Sequence, residues 1–278
     1  MARSASGLRG ASAEAYDMLT GRLSSVLSDG GSANGYDVAR DLFGVAEVLR
    51  REPGLRRVLT DVSVGSQAKS GLVRRVFGES LGEGGLDVAA TAAGQRWAAV
   101  RDLADTLEHL AVIAVVRAAE ADGEADAVEE QLFTVERLVA DNPSLRDALG
   151  DPARSVEDKQ GLLRGLLEGK AARGTIQLVE QAVTGTHRTV GLAIEAYQRL
   201  AASERERVVA LVRVARPLSD TESDRLKAAL TRQYSRAVDL NVLVDPAVLG
   251  GVRVEVGDDV IDGTVSTRLD DARRKLAG

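Results

Sequence analysis

The feature that most constrains this chain is an internal repeat. Thirteen positions between residues 38 and 74 carry the same residue type 90 positions later, and Phe43 with Phe133 is one of these matches. Self-similarity at a fixed offset is the signature of a duplicated structural unit. We therefore predict two copies of one fold, at residues 1–110 and 111–205.

Both copies have the pattern of a helical bundle. Each contains four apolar residues at the spacing of a helix with one buried face, namely Val38, Leu42, Val45 and Leu49 in the first copy and Val128, Leu132, Val135 and Val139 in the second. Pro53 and Pro143 end these helices, because the residue before a proline disfavours the helical conformation. In each copy a later helix, after Ser66 or Ser155, has apolar residues at helical spacing, which predicts that Val76 and Leu166 face the core. Two closing helices of the second copy carry Leu178, Val179, Ala182 and Val183, then Val190, Ile194, Tyr197 and Ala201.

The join between the copies is also predicted to be helical. From Trp97 to Ala119 the chain contains neither Gly nor Pro, and apolar residues such as Val100 and Leu110 recur at helical spacing. One continuous helix over this segment would connect the two copies stiffly.

After residue 205 the apolar period changes from that of a helix to that of a strand. Val208 to Val214 is apolar and β-branched, which is typical of a strand, and residues 239–246 form a second such segment. Between them, Ser219 followed by Glu222 is a capping box that begins a helix.

The last part of the chain predicts a β-hairpin and a final helix. Residues 252–261 alternate between apolar and polar side chains around a turn, and residues 264–276 return to helical spacing. The predicted fold is therefore mainly α, with two tandem helical bundles followed by a small α/β domain at residues 206–278.

Composition excludes several classes of function. The 36 basic residues face 42 acidic ones, for a net charge of -6, so the basic footprint of a nucleic-acid partner is missing. The absence of cysteine excludes disulfides, thiolate zinc sites and cysteine nucleophiles. The longest apolar run, Leu110 to Val116, is too short to span a membrane. These counts predict a cytosolic protein that is soluble or peripherally attached, without direct membrane insertion.

Candidate chemical motifs fail on their spacing. The phosphate-loop resemblance at Gly165 to Ala171 is one residue too short and has Ala where magnesium needs a hydroxyl group. His109 and His187 lack metal-binding spacing and are predicted to lie on helix surfaces. We therefore predict no catalytic residue, no cofactor and no metal, and interpret the chain as a binding protein. An enzyme with an unrecognised site and a free helical-repeat scaffold are the alternatives.

The C-terminal segment resembles a known family. VLVDPAVLGGVRVEVGDDVIDGTVSTRLDDARRKL, at residues 242–276, is similar to the end of the delta subunit of the rotary, proton-translocating ATP synthase, called the oligomycin-sensitivity-conferring subunit in mitochondria. The residues that carry this resemblance are Val244, Asp245, Gly250, Gly251, Gly257, Asp262, Gly263 and Arg268. Glycines and turn-forming aspartates shape a domain and do not form an active site.

The resemblance implies a stator role without chemistry. In this family the helical bundle binds the N-terminal helices of alpha subunits on top of the alpha/beta catalytic head, and the C-terminal domain holds the b subunit of the peripheral stalk. The subunit resists rotor torque at the cytoplasmic face of the cell membrane. Most members of this family have one helical bundle. The duplicated bundle of this chain is similar to the long form of the subunit in high-GC Gram-positive bacteria.

The resemblance also suggests which copy binds the head. In relatives with a single bundle, the binding bundle directly precedes the C-terminal domain, so residues 111–200 are expected to contact an alpha-subunit helix. The candidate groove residues are Ile176, Val179, Val183 and Ile194, with packing in the core as the alternative for each. Residues 206–278 carry 12 basic and 12 acidic side chains, so docking of the b subunit is expected to depend on an apolar patch.

Overall fold

A computed structural model describes the chain in two compact units, Met1–Glu204 and Arg205–Gly278. The described residues are 8–28, 31–184, 187–205, 208–234, 238–245, 248, 250–256 and 259–262. The first unit is helical, with α1 at Ala11–Ser28, α2 at Gly31–Arg51, α3 at Pro53–Thr60, α4 at Ser66–Phe77, α5 at Glu83–Gly94, α6 at Asp102–Ala121, α7 at Ala125–Asp141, α8 at Pro143–Gly150, α9 at Val156–Leu167, α10 at Arg173–Ala182 and α11 at Val190–Arg205.

The repeat is visible in the helix boundaries. Displaced by 90 residues, α3 coincides with α8 and α4 coincides with α9, while α2 and α5 overlap α7 and α10. Displaced back by 90 residues, helix α6 overlaps α1, and displaced forward by 90 residues it overlaps α11. It is therefore the sixth helix of the first copy and also the first helix of the second copy.

The predicted division at residue 110 stays a prediction. Helix α6 crosses this position without a break, and a single hydrophobic core contains buried residues of both copies. Of the 20 residues in α6, 15 are buried, whereas 4 of 17 are buried in α7. A helix that is buried on most of its faces lies between neighbours on several sides.

The predicted apolar stripes mostly form this core. All eight residues of the α2 and α7 stripes are buried, as are Leu178, Val179, Ala182, Val183, Ile194, Tyr197 and Ala201. The prediction was wrong for Val76 and Leu166, which are 49% and 38% exposed. Both lie on the outer side of their helices, α4 and α9. The side of these helices that faces the core carries the buried residues Val73 and Leu163.

The joining helix begins five residues later than predicted. Trp97 and Val100 precede α6, because polar groups cap a turn at this point. Ser12 Oγ accepts from the Ala98 amide at 2.8 Å, and Asp102 Oδ2 accepts from the Ala99 amide at 3.1 Å. The Trp97 indole is buried and donates to the Ala92 carbonyl at 3.1 Å.

Buried polar side chains connect α6 to both copies. Arg50 of α2 pairs with Glu108, which also accepts from the Tyr197 hydroxyl of α11. Arg117 of α6 donates to Glu204 of α11 through Nε at 2.7 Å and also contacts Ser24 of α1. Buried charge pairs need this kind of multiple bonding to offset their desolvation.

The second unit is a small α/β fold. Its elements are β1 at Val208–Val214, α12 at Asp220–Tyr234, β2 at Val238–Val244, β3 at Val252–Val256 and β4 at Asp259–Asp262. The sheet order is β2-β1-β3-β4, with β1 and β2 parallel and the other pairs antiparallel. Helix α12 crosses over between the parallel strands and packs Leu230 against the sheet core of Val212, Val254 and their neighbours.

The capping box and the hairpin are confirmed. Ser219 Oγ accepts from the Glu222 amide at 3.3 Å, and Glu222 Oε2 accepts from the Ser219 amide at 2.9 Å. The pKa of Glu222 is lowered to about 2, first by its hydrogen bond with Arg216 and then by its bonds with Ser219. The predicted final helix at residues 264–276 lies outside the described residues.

Candidate partner-binding surfaces

The four predicted groove residues lie in two environments. Val179 and Ile194 are fully buried in the helical core, and Val183 is 5% exposed. Ile176 is half-buried, on the outward side of α10. Of the four, Ile176 therefore has the most surface to offer to a partner, while the other three support the helices around it.

The surface around Ile176 contains residues of both copies. It borders a cavity of about 460 Å³ whose lining includes Tyr36 and Arg40 of α2 and Arg173, Gln177 and Glu180 of α10. The Arg173 guanidinium lies 4.4 Å from the centroid of the Tyr36 ring, and Gln177 Nε2 donates to the Tyr36 carbonyl at 3.0 Å. Burial is the main cause that raises the pKa of Tyr36 to about 12.

Val183 borders a larger cavity, of about 650 Å³, between the ends of α7 and α10 and the start of α11. Charged groups of both signs line it, including Arg146, Asp147 and Lys159. The residue of the first copy that corresponds to His187 in this lining is Trp97, which is 6% exposed. The two copies thus differ at this position, where the first has a buried indole and the second a half-buried imidazole that lines a cavity.

The two histidines are both half-buried, and each contacts a tyrosine ring. His109 lies on α6 and is half-buried, with its ring edge-on to Tyr16 at 6.3 Å. Desolvation lowers the pKa of His109. His187 precedes α11, is half-buried and contacts the Tyr197 ring at 5.9 Å. Helical periodicity alone could not show these ring contacts, because Tyr16 and His109 lie on helices that are distant in sequence.

Within the described residues, no group of three or more His, Asp or Glu side chains is arranged to hold a metal ion. The Gly165 to Ala171 segment lies at the end of α9, where Gly169 turns the chain with a φ of 71°. No helix in the described part of the chain is long and apolar enough to cross a membrane.

The C-terminal signature residues shape the turn between β2 and β3. Gly250 and Gly251 have φ angles of 122° and 86°, a region that side chains with a Cβ rarely adopt. The Asp245 amide donates to the Val214 carbonyl at 2.8 Å and so extends the parallel strand pair. Asp262 pairs with Arg253 in the hairpin register. Gly257, Gly263 and Arg268 lie outside the described residues.

The small sheet exposes apolar side chains at its two outer strands. Leu243 and Val244, at the end of β2, are 48% and 49% exposed, and Val260 and Ile261 of β4 are 54% and 36% exposed. Sheet-edge residues with this exposure are available to a partner protein.

Comparison with known proteins gives the family. The model of the ATP synthase delta (OSCP) subunit matches residues 112–276, which begin within α6 and include the second copy and the α/β unit. A Nocardioides protein named ATP synthase subunit delta is 49% identical over 281 residues, covering 100% of both chains. Proteins of the same name from Kineococcus radiotolerans and Streptomyces coelicolor are 45% and 43% identical, covering 89% and 98% of this chain and 91% and 99% of their own. This chain belongs to the ATP synthase delta (OSCP) family.

Proposed function

We propose that this protein is a non-catalytic stator subunit of the proton-translocating ATP synthase. In this proposal it links the top of the alpha/beta head to the b subunit of the peripheral stalk, at the cytoplasmic face of the cell membrane, and resists rotor torque. The observation that carries the proposal is the full-length similarity to a delta subunit. The division into a helical unit and a small α/β unit supports it, since a link needs two separate binding surfaces.

The proposed contact with the head lies on the second copy. We assign an alpha-subunit helix to the surface of α10 at Ile176, with Val179, Val183 and Ile194 holding the surrounding helices in place. The chain itself offers a matched comparison, because Leu86 occupies the corresponding position of the first copy and is also half-buried.

We expect Ile176→Glu to abolish binding of an alpha N-terminal peptide to the full chain, and Leu86→Glu to leave it unchanged. A charge in the contact surface loses apolar burial and leaves a carboxylate desolvated. Isothermal titration with each full-length variant measures this, and circular dichroism confirms that both fold. Loss of binding with Leu86→Glu alone would move the contact to the first copy.

The proposed contact with the stalk lies on the α/β unit. Because residues 206–278 are neutral overall, we attribute the affinity for the b subunit to apolar residues such as Val260 and Ile261 of β4.

A pull-down with the b subunit is expected to fail for a chain that lacks residues 206–278 and for Val260→Asp. The control is Val62→Asp in the helical unit, where Val62 is 71% exposed. Unchanged binding after the deletion would show that the b subunit binds elsewhere.

A further inference from the structure

A polar cavity of about 620 Å³ lies beside the N-terminal half of α6, within the helical unit. Its lining includes Arg50 of α2, Thr106 and His109 of α6, and His187 before α11, so both copies contribute to it. The cavity is separate from the surface at Ile176 and from the α/β unit. A site at this position therefore goes beyond the proposed function.

Three buried polar atoms in this lining have no hydrogen-bond partner among the described residues. They are Arg50 Nη1, Thr106 Oγ1 and His109 Nδ1. Thr106 is 0% exposed, so its hydroxyl group is fully within the protein. Native proteins rarely leave buried polar atoms unpaired, and three of them beside one cavity indicate a bound ligand.

The three groups lie on one side of α6. Thr106 and His109 are three residues apart on the helix, a spacing that makes their side chains neighbours. The Arg50 guanidinium is held beside them, because its Nη2 atom donates to Asp105 at 3.0 Å and also pairs with Glu108. Its Nη1 atom is then left to donate to a molecule in the cavity.

The unpaired groups are donors, which defines the ligand. A guanidinium and a threonine hydroxyl group donate, and a protonated imidazole donates from both ring nitrogens. Arg9 and Arg101 add two exposed guanidinium groups to the same lining. Arginine groups form their strongest hydrogen bonds with the oxygen atoms of anions. The ligand must therefore supply several oxygen acceptors and a negative charge.

The carboxylates of the lining are already hydrogen-bonded. Asp102 Oδ2 accepts from the Ser12 hydroxyl group at 2.7 Å, while Asp105 and Glu108 pair with Arg50. Within the part of the chain that the structure describes, no group of His, Asp and Glu side chains is arranged to hold a metal ion. The surplus in this cavity is one of donors, so it fits an anion and not a cation.

The repeat shows that these polar groups are not needed to build the bundle. Arg50 and Thr106 correspond to Ala140 and Ala196 in the second copy, which forms the equivalent helices without them. Burying polar side chains without partners costs free energy that alanine avoids. Their presence in the first copy is explained by a ligand that bonds to them.

We propose that this cavity binds a phosphate-type oxyanion, either free or as the monoester of a small organic molecule. Arg50 and Thr106 donate to its oxygen atoms, and His109 donates to it in the protonated form. Arg9 and Arg101 supply further positive charge at the surface of the site. The size of the cavity lies in the range of small-molecule sites, so an organic group attached to the phosphate can also be enclosed.

Nuclear magnetic resonance of the histidines tests this site in the full-length chain. The chain has two histidines, and His187→Gln assigns their Hε1 signals. The probes are inorganic phosphate, sulfate and glycerol 3-phosphate, each at an ionic strength kept constant with chloride. We expect a saturable shift of the His109 signal. Saturation with phosphate and sulfate assigns the site to a free oxyanion, and saturation with glycerol 3-phosphate alone assigns it to a monoester.

Threonine variants locate the binding site. Thr106→Val keeps the size of the side chain and removes the hydroxyl group, and is expected to weaken binding about tenfold through loss of a hydrogen bond to a charged group. The matched control is Thr20→Val, because Thr20 is 1% exposed, lies outside the lining and donates to the Tyr16 carbonyl at 2.9 Å. We expect this control to bind as the unaltered chain does. Circular dichroism shows that both variants fold.

Arginine variants separate the site from general attraction of anions. Arg101→Gln removes a cation of the lining and is expected to weaken binding severalfold. Arg57→Gln removes an exposed cation of α3 that lies outside the cavity, and is expected to have no effect.

The pKa of His109 provides a readout that a purely structural role would not change. The groups around this ring are Asp105 and Glu108 of its own helix, Arg50, His187 and the Tyr16 ring, and burial is the main cause that lowers its pKa. Sulfate keeps its charge over the pH range in which histidines titrate. Because an anion favours the protonated ring, we expect saturation with sulfate to raise the pKa of His109.

Several results would overturn the proposal. A shift of the His109 signal that stays linear with all three probes up to millimolar concentrations would show that no site exists. Equal weakening by Thr106→Val and Thr20→Val, or by Arg101→Gln and Arg57→Gln, would show that the anions bind elsewhere. An unchanged pKa of His109 at saturation would remove this residue from the site.

Discussion

The two copies of the repeat share a helix pattern but differ in how they are packed. In the first copy, α2 is buried on most of its faces, between α5, α6 and α10. In the second copy, α7 buries one stripe of four residues, and its other residues are half-buried or exposed. The difference shows that burial in this protein depends on the position of a copy in the tandem array as much as on its own sequence.

Helices α6 and α11, which close the first and the second copy, show the same difference in packing. Helix α6 is shared, since it closes the first copy and opens the second, and its charged residues Glu108 and Arg117 are bonded to helices on both sides. Helix α11 has the position of α6 but no third copy beyond it. Its residues Leu192, Glu195 and Ala202 are exposed as a result. A shared helix explains why the helical unit forms one core.

The sharpest test of this comparison replaces the same residue in both copies. Phe43→Ala should destabilise the chain by about 3–5 kcal/mol, because it leaves a cavity in the core. Phe133→Ala should change the free energy of unfolding by no more than about 0.5 kcal/mol, as expected for an exposed site. Urea unfolding followed by the fluorescence of Trp97, which is the single tryptophan of the chain, measures both.

Similar losses for the two phenylalanine variants would contradict the packing difference between the copies. The slope of the unfolding curve serves as the control, since an unchanged slope shows that the variant has altered stability and not the cooperative unit.

A second test concerns the close approach of α2 to α6. A Cβ at Gly35 would lie 2.8 Å from Ala118 Cβ and 3.2 Å from the Ala114 carbonyl oxygen, whereas one at Gly44 meets no atom within 4 Å. We expect Gly35→Ala to destabilise the protein by about 1–3 kcal/mol through overpacking. Gly44→Ala, in the same helix, should stabilise it by about 0.5–1 kcal/mol through helix propensity. Stabilisation by both would mean that α2 and α6 are more loosely packed than the structure has them.

Much of the fold followed from local patterns in the sequence. The α2 stripe ending at Pro53, the capping box of Ser219 and Glu222, and the alternation of the hairpin are each specified by residues close together in the chain. Positions that depend on distant contacts were not predictable in this way. Trp97 is held outside α6 by Ser12 and Asp102, which are far from each other in sequence.

The candidate partner-binding surfaces depend even more on contacts between residues that are distant in sequence. The matching stripes of α2 and α7 do not distinguish the buried ring of Phe43 from the exposed ring of Phe133. The difference lies beside the stripes, where Tyr36 and Ala39 of the first copy are replaced by Asp126 and Glu129 in the second. Val179 and Ile194 were candidates for a groove because an apolar stripe is compatible with either a core or a binding surface. Only the packing of the second copy against the first separates these alternatives.

The smallest expected effect concerns a cap that the two copies make with different residues. Asp41 Oδ2 accepts from the Gly82 amide before α5 at 2.8 Å, and its counterpart Gln131 accepts from the Ala172 amide before α10 at 2.8 Å. Burial, the largest cause, raises the pKa of Asp41 above its ordinary value of 3.8. The first copy thus has a titratable cap where the second has a neutral one.

This difference predicts a pH dependence that belongs to the first copy. Because the folded state holds the Asp41 proton more tightly than the unfolded state, its contribution to stability is complete below pH 3.8 and is lost as the pH rises through the raised pKa. D41N keeps an acceptor for the Gly82 amide, so its stability should differ by about 1 kcal/mol or less and lack this decline. Urea unfolding between pH 3.5 and 7 measures it, with D17N, at an exposed carboxylate, as the control for net charge. If D41N and D17N followed the same pH profile, the Asp41 cap would be as solvated as an ordinary surface carboxylate, and the two copies would not differ in this respect.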